Sequence, residues 1–105
     1  MDGGGLAVSA TKTITAWRRS ENVFLAEPGK PEMQIGTGKD VALALSGNRP
    51  YVTWTHGMKI EAWSDGKTQV LSNAGAYSAV TSLPNGSALV AWEENGGIVT
   101  RLLPR

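Results

Sequence analysis

At 105 residues the chain has the length of one ordinary domain, and its formal net charge of +1 gives it neither a basic field for nucleic acid nor an acidic tail for a basic partner. Hydrophobic residues make up 41% of it, enough for a packed core, and the absence of cysteine excludes disulfides and thiolate metal sites but not secretion. No apolar run approaches the roughly 18 residues of a membrane span and Met1-Asp2-Gly3-Gly4-Gly5 lacks a signal peptide's basic and apolar regions, so neither membrane nor nucleic acid is expected as a partner and the compartment stays unassigned.

Alternation of period two runs through nearly the whole chain, with no helical stripe competing against it. Leu6–Ser9 opens the series, and Thr13–Arg18 follows with Ile14 and Ala16 on one face. The polar turn Arg19-Ser20-Glu21-Asn22 leads to Val23–Ala26. Pro28-Gly29 ends that strand, and Glu32–Ile35 forms an edge strand that accepts Pro31 at its start. Gly36-Thr37-Gly38-Lys39-Asp40 reads as a loop. Val41–Ser46 then reads as a buried inner strand, because small and aliphatic residues alternate in it without a charge. Gly47-Asn48 turns the chain into Pro50–Thr55, His56-Gly57 into Lys59–Trp63, and Asp65-Gly66, a strong hairpin signal, into Gln69–Ser72. Asn73-Ala74-Gly75 leads to Tyr77–Thr81, Pro84-Asn85-Gly86 to Ser87–Glu93, and Asn95-Gly96-Gly97 to Ile98–Leu103.

A recurrence organises these strands. Ile14-Thr15-Ala16-Trp17, Tyr51-Val52-Thr53-Trp54 and Leu89-Val90-Ala91-Trp92 share one pattern, and their tryptophans stand 37 and 38 residues apart. Val23, Ile60 and Ile98 each fall six residues after a tryptophan, Gly29 and Gly66 each fall twelve after, and residues 5–17 match 42–54 without a gap. Such a period marks repeated supersecondary units, and four antiparallel strands in about 37 residues is the size of one β-propeller blade. The reading is therefore all-β: blade 1 over 5–38, blade 2 over 39–75 and blade 3 over 76–105, the last one strand short. Propellers typically have 4–8 blades, so three close no ring alone, and uncovered blade faces drive association. The expected partner is another copy of the chain, two copies making a six-bladed ring, or else flanking sequence of a longer protein. A single sandwich of ordinary meanders is the competing fold.

Within the second unit, Val52-Thr53-Trp54, Ile60-Glu61-Ala62-Trp63 and Ser64-Asp65-Gly66-Lys67-Thr68 resemble the repeats of the sialidase-like propellers, the exo-α-sialidase superfamily with Asp-box repeats. The last stretch is similar to the Asp-box turn, Ser-x-Asp-x-Gly-x-Thr-Trp, in shortened form, with Gln69 in the place of its tryptophan. The first unit keeps only Gly29 of that turn, in Glu27-Pro28-Gly29-Lys30-Pro31. The resemblance implies a six-bladed propeller, glycan-related activity in some members and a secreted or periplasmic parent protein. It also implies that the Asp-box turn is structural and lies opposite the active face. The family's catalytic set, an arginine triad with a Tyr/Glu pair and an acid/base Asp, has no position-by-position match here, so catalytic residues stay unassigned.

Trp17, Trp54 and Trp92 recur once per unit, which favours packing of unit on unit over stacking on a sugar. Trp63 does not recur, Ala26 and Arg101 taking its place, and is weighed as a ligand-stacking platform against burial on an outer strand. His56 is the one histidine, a residue type suited to acid/base work, and lies in a turn between the second and third strands of its unit. Turns of that kind share an end with the links between units, which gathers Arg18, Arg19, Glu21, Lys39, Asp40, His56, Glu93 and Glu94. Converging charges serve acid/base work or recognition of a charged ligand, and they also serve simply to keep turns wet. Asp40 precedes an innermost strand and is placed to reach the mouth of a central channel. Glu93 and Glu94, or either with Asp40, have the chemistry of the carboxylate pair in glycoside hydrolysis, although neighbours on a strand point to opposite faces. The ligand-binding candidates are Arg18, Arg19, Asp40, His56, Trp63 and Glu93. No phosphate loop or nucleophilic triad is recognisable, and neither cofactor nor metal is expected.

These observations predict a non-catalytic propeller scaffold or binding module that recognises a ligand, carbohydrate among the classes considered, or a partner at its turn-rich end. The rival readings are a sialidase-like glycoside hydrolase active only in a closed ring, and a lectin that uses Trp63 and exposed tyrosines as stacking platforms.

Overall fold

The computed structural model describes residues 4–8 and 13–105. Among them the backbone forms eleven strands and no helix. The first four are β1 (Gly4–Val8), β2 (Thr13–Arg19), β3 (Asn22–Ala26) and β4 (Met33–Thr37). The next four are β5 (Lys39–Ser46), β6 (Arg49–His56), β7 (Lys59–Ser64) and β8 (Lys67–Ser72), followed by β9 (Gly75–Ser82), β10 (Ala88–Glu94) and β11 (Gly97–Leu103). They hydrogen-bond into three antiparallel sheets in simple meander order: β1-β2-β3-β4, β5-β6-β7-β8 and β9-β10-β11. The strand expected at Leu6–Ser9 is found at Gly4–Val8, and Ser9 lies outside the described residues. Turn chemistry fits the sequence: Asp65-Gly66 and Asn95-Gly96 have positive φ at both residues, as a two-residue hairpin turn matching strand twist requires.

Period-two alternation gives each sheet two faces, and the faces decide the packing. In the first sheet Ile14 and Ala16 of β2 and Val23 and Leu25 of β3 point one way. They meet Val52, Trp54 and Trp63 of the second sheet in one apolar cluster. The second sheet turns its other face, with Tyr51, Ile60 and Ala62, toward Ala88, Val90, Trp92 and Leu103 of the third. The second sheet is thus covered on both sides. Trp54 and Trp92, which lie on the faces directed at the preceding sheet, are 0% and 3% exposed. Trp17 occupies the same place in the first sheet, on the face turned away from the second. It stacks on Phe24 with ring centroids 5.9 Å apart and stays half-buried.

Three expectations need correction. Residues 36–40 are not a loop: β4 ends at Thr37 and β5 begins at Lys39, so Gly38 alone joins two sheets. Glycine is needed there for space. A Cβ on Gly36 would lie 2.3 Å from Cζ2 of Trp54, and one on Gly38 would lie 2.5 Å from the Thr55 carbonyl oxygen. Gly75, one repeat later, stands in the same relation to Trp92, where a Cβ would be 2.8 Å from Cδ1. Second, the strand at Val41–Ser46 is half-buried, with only Ala44 and Ser46 fully inside, because β5 is an edge strand with β6 as its one paired neighbour. The enclosed strand is β6, whose residues Tyr51 to Thr55 are all buried. Third, the equivalence of Val23, Ile60 and Ile98 holds in register but not in burial: the first two are 0% exposed and Ile98 is 70%. Among the described residues, no sheet lies over the third as the third lies over the second.

Candidate functional site

The β2–β3 turn, the β4–β5 link and the β6–β7 turn meet at one end of the first two sheets. They enclose a cleft of about 260 Å³ lined by the charged Arg18, Glu21 and Lys39 and by His56, with Thr37 and Thr55 beside them. Backbone hydrogen bonds fix its frame. The Gly38 N–H donates to the Glu21 carbonyl at 2.8 Å, and one repeat later the Gly75 N–H donates to the Met58 carbonyl at 2.8 Å. The link between sheets is therefore pinned to the turn of the sheet before it, and this holds Lys39 beside Arg18 and His56.

Of the six candidates, this cleft unites Arg18 and His56. Arg19 leaves on the other side of β2, where its guanidinium lies 4.7 Å over the Phe24 ring centroid and binds the Glu32 carboxylate at 2.8 and 3.2 Å. Asp40 is exposed next to the cleft and is not part of its lining. It sits in a β-bulge between Lys39 and Ala42 with φ +55. Tyr77 repeats that bulge in the third sheet, with φ +54 and 67% exposure. A non-glycine residue in this region costs on the order of 1 kcal/mol, and a bulge re-aims its side chain, so both are held outward near the start of the first strand of their sheets. Trp63 is 9% exposed and belongs to the cluster between the first two sheets, which leaves little of its indole for a ligand. Glu93 is exposed on the face of β10 directed away from the second sheet, whereas Glu94 faces it. β10 extends through both residues, so these carboxylates do not pair.

Glu61 escapes sequence reasoning, and Glu94 has a more specific role than a charged turn residue. Trp54 Nε1–H donates to Glu61 Oε1 at 2.8 Å, and Trp92 Nε1–H donates to Glu94 Oε1 at 3.0 Å. Buried indoles need an acceptor, and that rule is the signal that points to carboxylates near both tryptophans. Glu61 Oε1 also lies 3.7 Å from His56 Nδ1, joining the cleft to the Trp54 junction. The Ser72 hydroxyl donates to Glu94 at 2.5 Å, and this bond, followed by the one from Trp92, holds the Glu94 carboxyl below its ordinary value of 4.5. A lowered folded-state value means that the ionised form stabilises the fold fully above the ordinary value and less as pH falls through the lowered one. Glu94→Gln is therefore expected to flatten the acid limb of a plot of urea midpoint against pH. An acid limb identical to that of the parent chain would contradict this role.

A larger cleft, about 590 Å³, opens at the other end of the sheets among turn residues that include Asn48, Arg49, Asp65 and Arg105. Two side chains beside it bond to backbone. The Ser46 hydroxyl donates to the Ser87 carbonyl at 2.6 Å, and the Tyr51 hydroxyl donates to the Gly86 carbonyl at 3.0 Å. These bonds tie the second sheet to the β9–β10 turn, which is a structural task. Among the described residues, no group of three or more histidine or carboxylate side chains is placed to hold a metal ion.

No family model matches the sequence, and no curated protein matches it. Among solved structures the chain is similar to "A subtype N10 neuraminidase-like protein of A/little yellow-shouldered bat/Guatemala/060/2010", with a TM-score of 0.56 and 12% identity. The likeness covers 95% of this chain and 43% of that one, so the chain spans less than half the length of its structural neighbour. At that identity the likeness speaks for the fold alone: the three antiparallel sheets are arranged as in part of a neuraminidase-like β-propeller.

Proposed function

We propose that the chain is a run of three propeller blades, the last one strand short, serving as a non-catalytic scaffold and binding module of sialidase-like type. Its turn-rich end recognises an anionic ligand, with carboxylated glycans the first class to test. The observation that carries this reading is the cleft in which Arg18, Lys39 and His56 converge from three separate segments, with Glu21 as the one carboxylate in its lining. Lys39, exposed in that lining, offers a charge-assisted hydrogen bond to a ligand carboxylate. Glu93 and Glu94 point to opposite faces, and this favours binding over hydrolysis by a carboxylate pair. Support for the blades comes from the recurrence of Trp17, Trp54 and Trp92 and from the neuraminidase-like neighbour.

Acidic glycans on an array are expected to bind the chain without turnover of a fluorogenic sialoside. Lys39→Ala should weaken that binding at least about fivefold, the loss of one charge-assisted contact. Hydrolysis that vanishes in Asp40→Asn would establish the glycosidase instead. Binding unaffected by Lys39→Ala, or no binding of acidic glycans, would remove the proposed site.

A further inference from the structure

The third sheet leaves one face uncovered among the described residues. Its register places Leu89 opposite Leu102, Ala91 opposite Thr100 and Glu93 opposite Ile98 on that face. Ile98 is 70% exposed and Leu102 52%, whereas Val23 and Ile60, the repeat equivalents of Ile98, are sealed by the sheet that follows each. The first sheet leaves the complementary face uncovered. Trp54 and Trp92 each lie against a preceding sheet, and Trp17 stands in the same register position with Phe24 beside it and no described sheet before it.

The charges on these two faces also correspond. Counting by the repeat, Arg19 is equivalent to His56 and Glu94, and Glu93 is equivalent to Arg18 and Thr55. At the junction of the first and second sheets, Arg18 and His56 line the same cleft, so these two register positions meet across a junction. A junction built from the Ile98 face and the Trp17 face would bring Glu93 and Arg19 to that meeting point, carboxylate against guanidinium. Pairing two Ile98 faces would instead oppose Glu93 to itself.

We propose that the Ile98 face binds the Trp17 face of a second copy of this chain, head to tail, so that two copies close one ring. The inference rests on reading the sheets as blades. With three sheets per copy, six is the only multiple of three within the typical range of 4–8. A head-to-tail contact closes into a ring when its rotation divides the circle and otherwise grows into a filament. Closure gives Ile98 the cover that Val23 and Ile60 already have, and it puts Trp17 in the setting of Trp54 and Trp92. It assigns Glu93 to assembly as a second carboxylate for Arg19, which Glu32 of its own sheet already binds.

Sedimentation equilibrium of the 105-residue chain is expected to give twice the 11.1 kDa of a single copy. Ile98→Asp should raise the dimer dissociation constant at least about tenfold, the effect of a charge buried in an interface core. Arg19→Glu and Glu93→Arg should each weaken the dimer, and the double variant Arg19→Glu/Glu93→Arg should recover it. Both charged sites are at the surface, so the swap remains informative even if Ile98→Asp misfolds, and circular dichroism checks each variant for sheet content. A folded monomer at every concentration, an open filament, or a double variant no tighter than its parents would overturn the proposal. Those outcomes leave glycan binding to be judged on the same samples. Failure of the blade reading itself appears elsewhere, as a stability loss from Trp54→Ala as small as that expected of the half-buried Trp17→Ala in dilute protein.

Discussion

Trp54→Ala is expected to remove about 3–5 kcal/mol of folding stability, a large fraction of the roughly 5–15 kcal/mol that holds a domain folded. The indole is fully buried between the first two sheets, where it touches the apolar faces of β2 and β3 and lies against the backbone at Gly36 and Gly38. Truncation opens a large cavity at a junction made of two extended sheets, which have little freedom to collapse into it. It also strips Glu61, whose side chain is 17% exposed, of the N–H it accepts from. Trp17→Ala removes the same group from the equivalent position of a face that nothing in the described chain covers. In dilute protein it should cost about 1 kcal/mol, set by the lost stacking on Phe24. Urea denaturation of the two variants side by side checks the contrast, and equal losses would mean that Trp17 is covered as fully as Trp54.

The second large effect is expected from adding a single methyl group. Gly38→Ala places a Cβ 2.5 Å from the Thr55 carbonyl oxygen and 2.6 Å from Cδ1 of Trp54, closer than such atoms approach in any relaxed fold. One obstacle is backbone of β6, held in the ladder on both sides, so it cannot move aside cheaply. The cost should be about 3 kcal/mol, at the upper end for overpacking a tight core. Gly66→Ala is the comparison: a Cβ there meets nothing within 4 Å, and only its φ of +79 is unfavourable. That substitution should cost about 1 kcal/mol. If the two variants melt together, the close approach of the sheet link to Trp54 is wrong.

The strands were legible in the sequence because each carries its own signal. Apolar alternation marks β2, β6 and β10, and Asp65-Gly66 and Asn95-Gly96 impose a turn whose backbone angles few other residues accept. The identity of the junction tryptophans followed from their spacing, because a side chain repeated with the fold serves the fold. What the sequence concealed was set by contacts between sheets. Gly36 and Gly38 have the composition of a loop, yet they are there because an indole from another strand presses on that backbone. Val41–Ser46 is apolar enough to be a central strand, but its edge position halves its burial.

The charged end was legible as a region and not as a site. Arg18 and Arg19 are adjacent and chemically alike, but alternation along β2 sends one into the cleft and the other to Phe24 and Glu32 on the opposite face. Trp63, unrepeated and aromatic, has the chemistry of a stacking platform, and only the packing of β7 against the first sheet shows that most of its ring lies in the core. Glu61 carries no signal of its own until Trp54 is known to be buried.

The central claim is that three like sheets pack in sequence, so that equivalent positions are covered or bare according to whether another sheet follows. Because the chain has no cysteine, one thiol at a time can be placed at each of those positions without interference. In dilute protein, Val23→Cys and Ile60→Cys are expected to react with a thiol reagent at least about a hundredfold more slowly than Ile98→Cys, since buried thiols wait for local opening. Similar rates at all three positions, or protection at Ile98→Cys with reactivity at Ile60→Cys, would contradict the account.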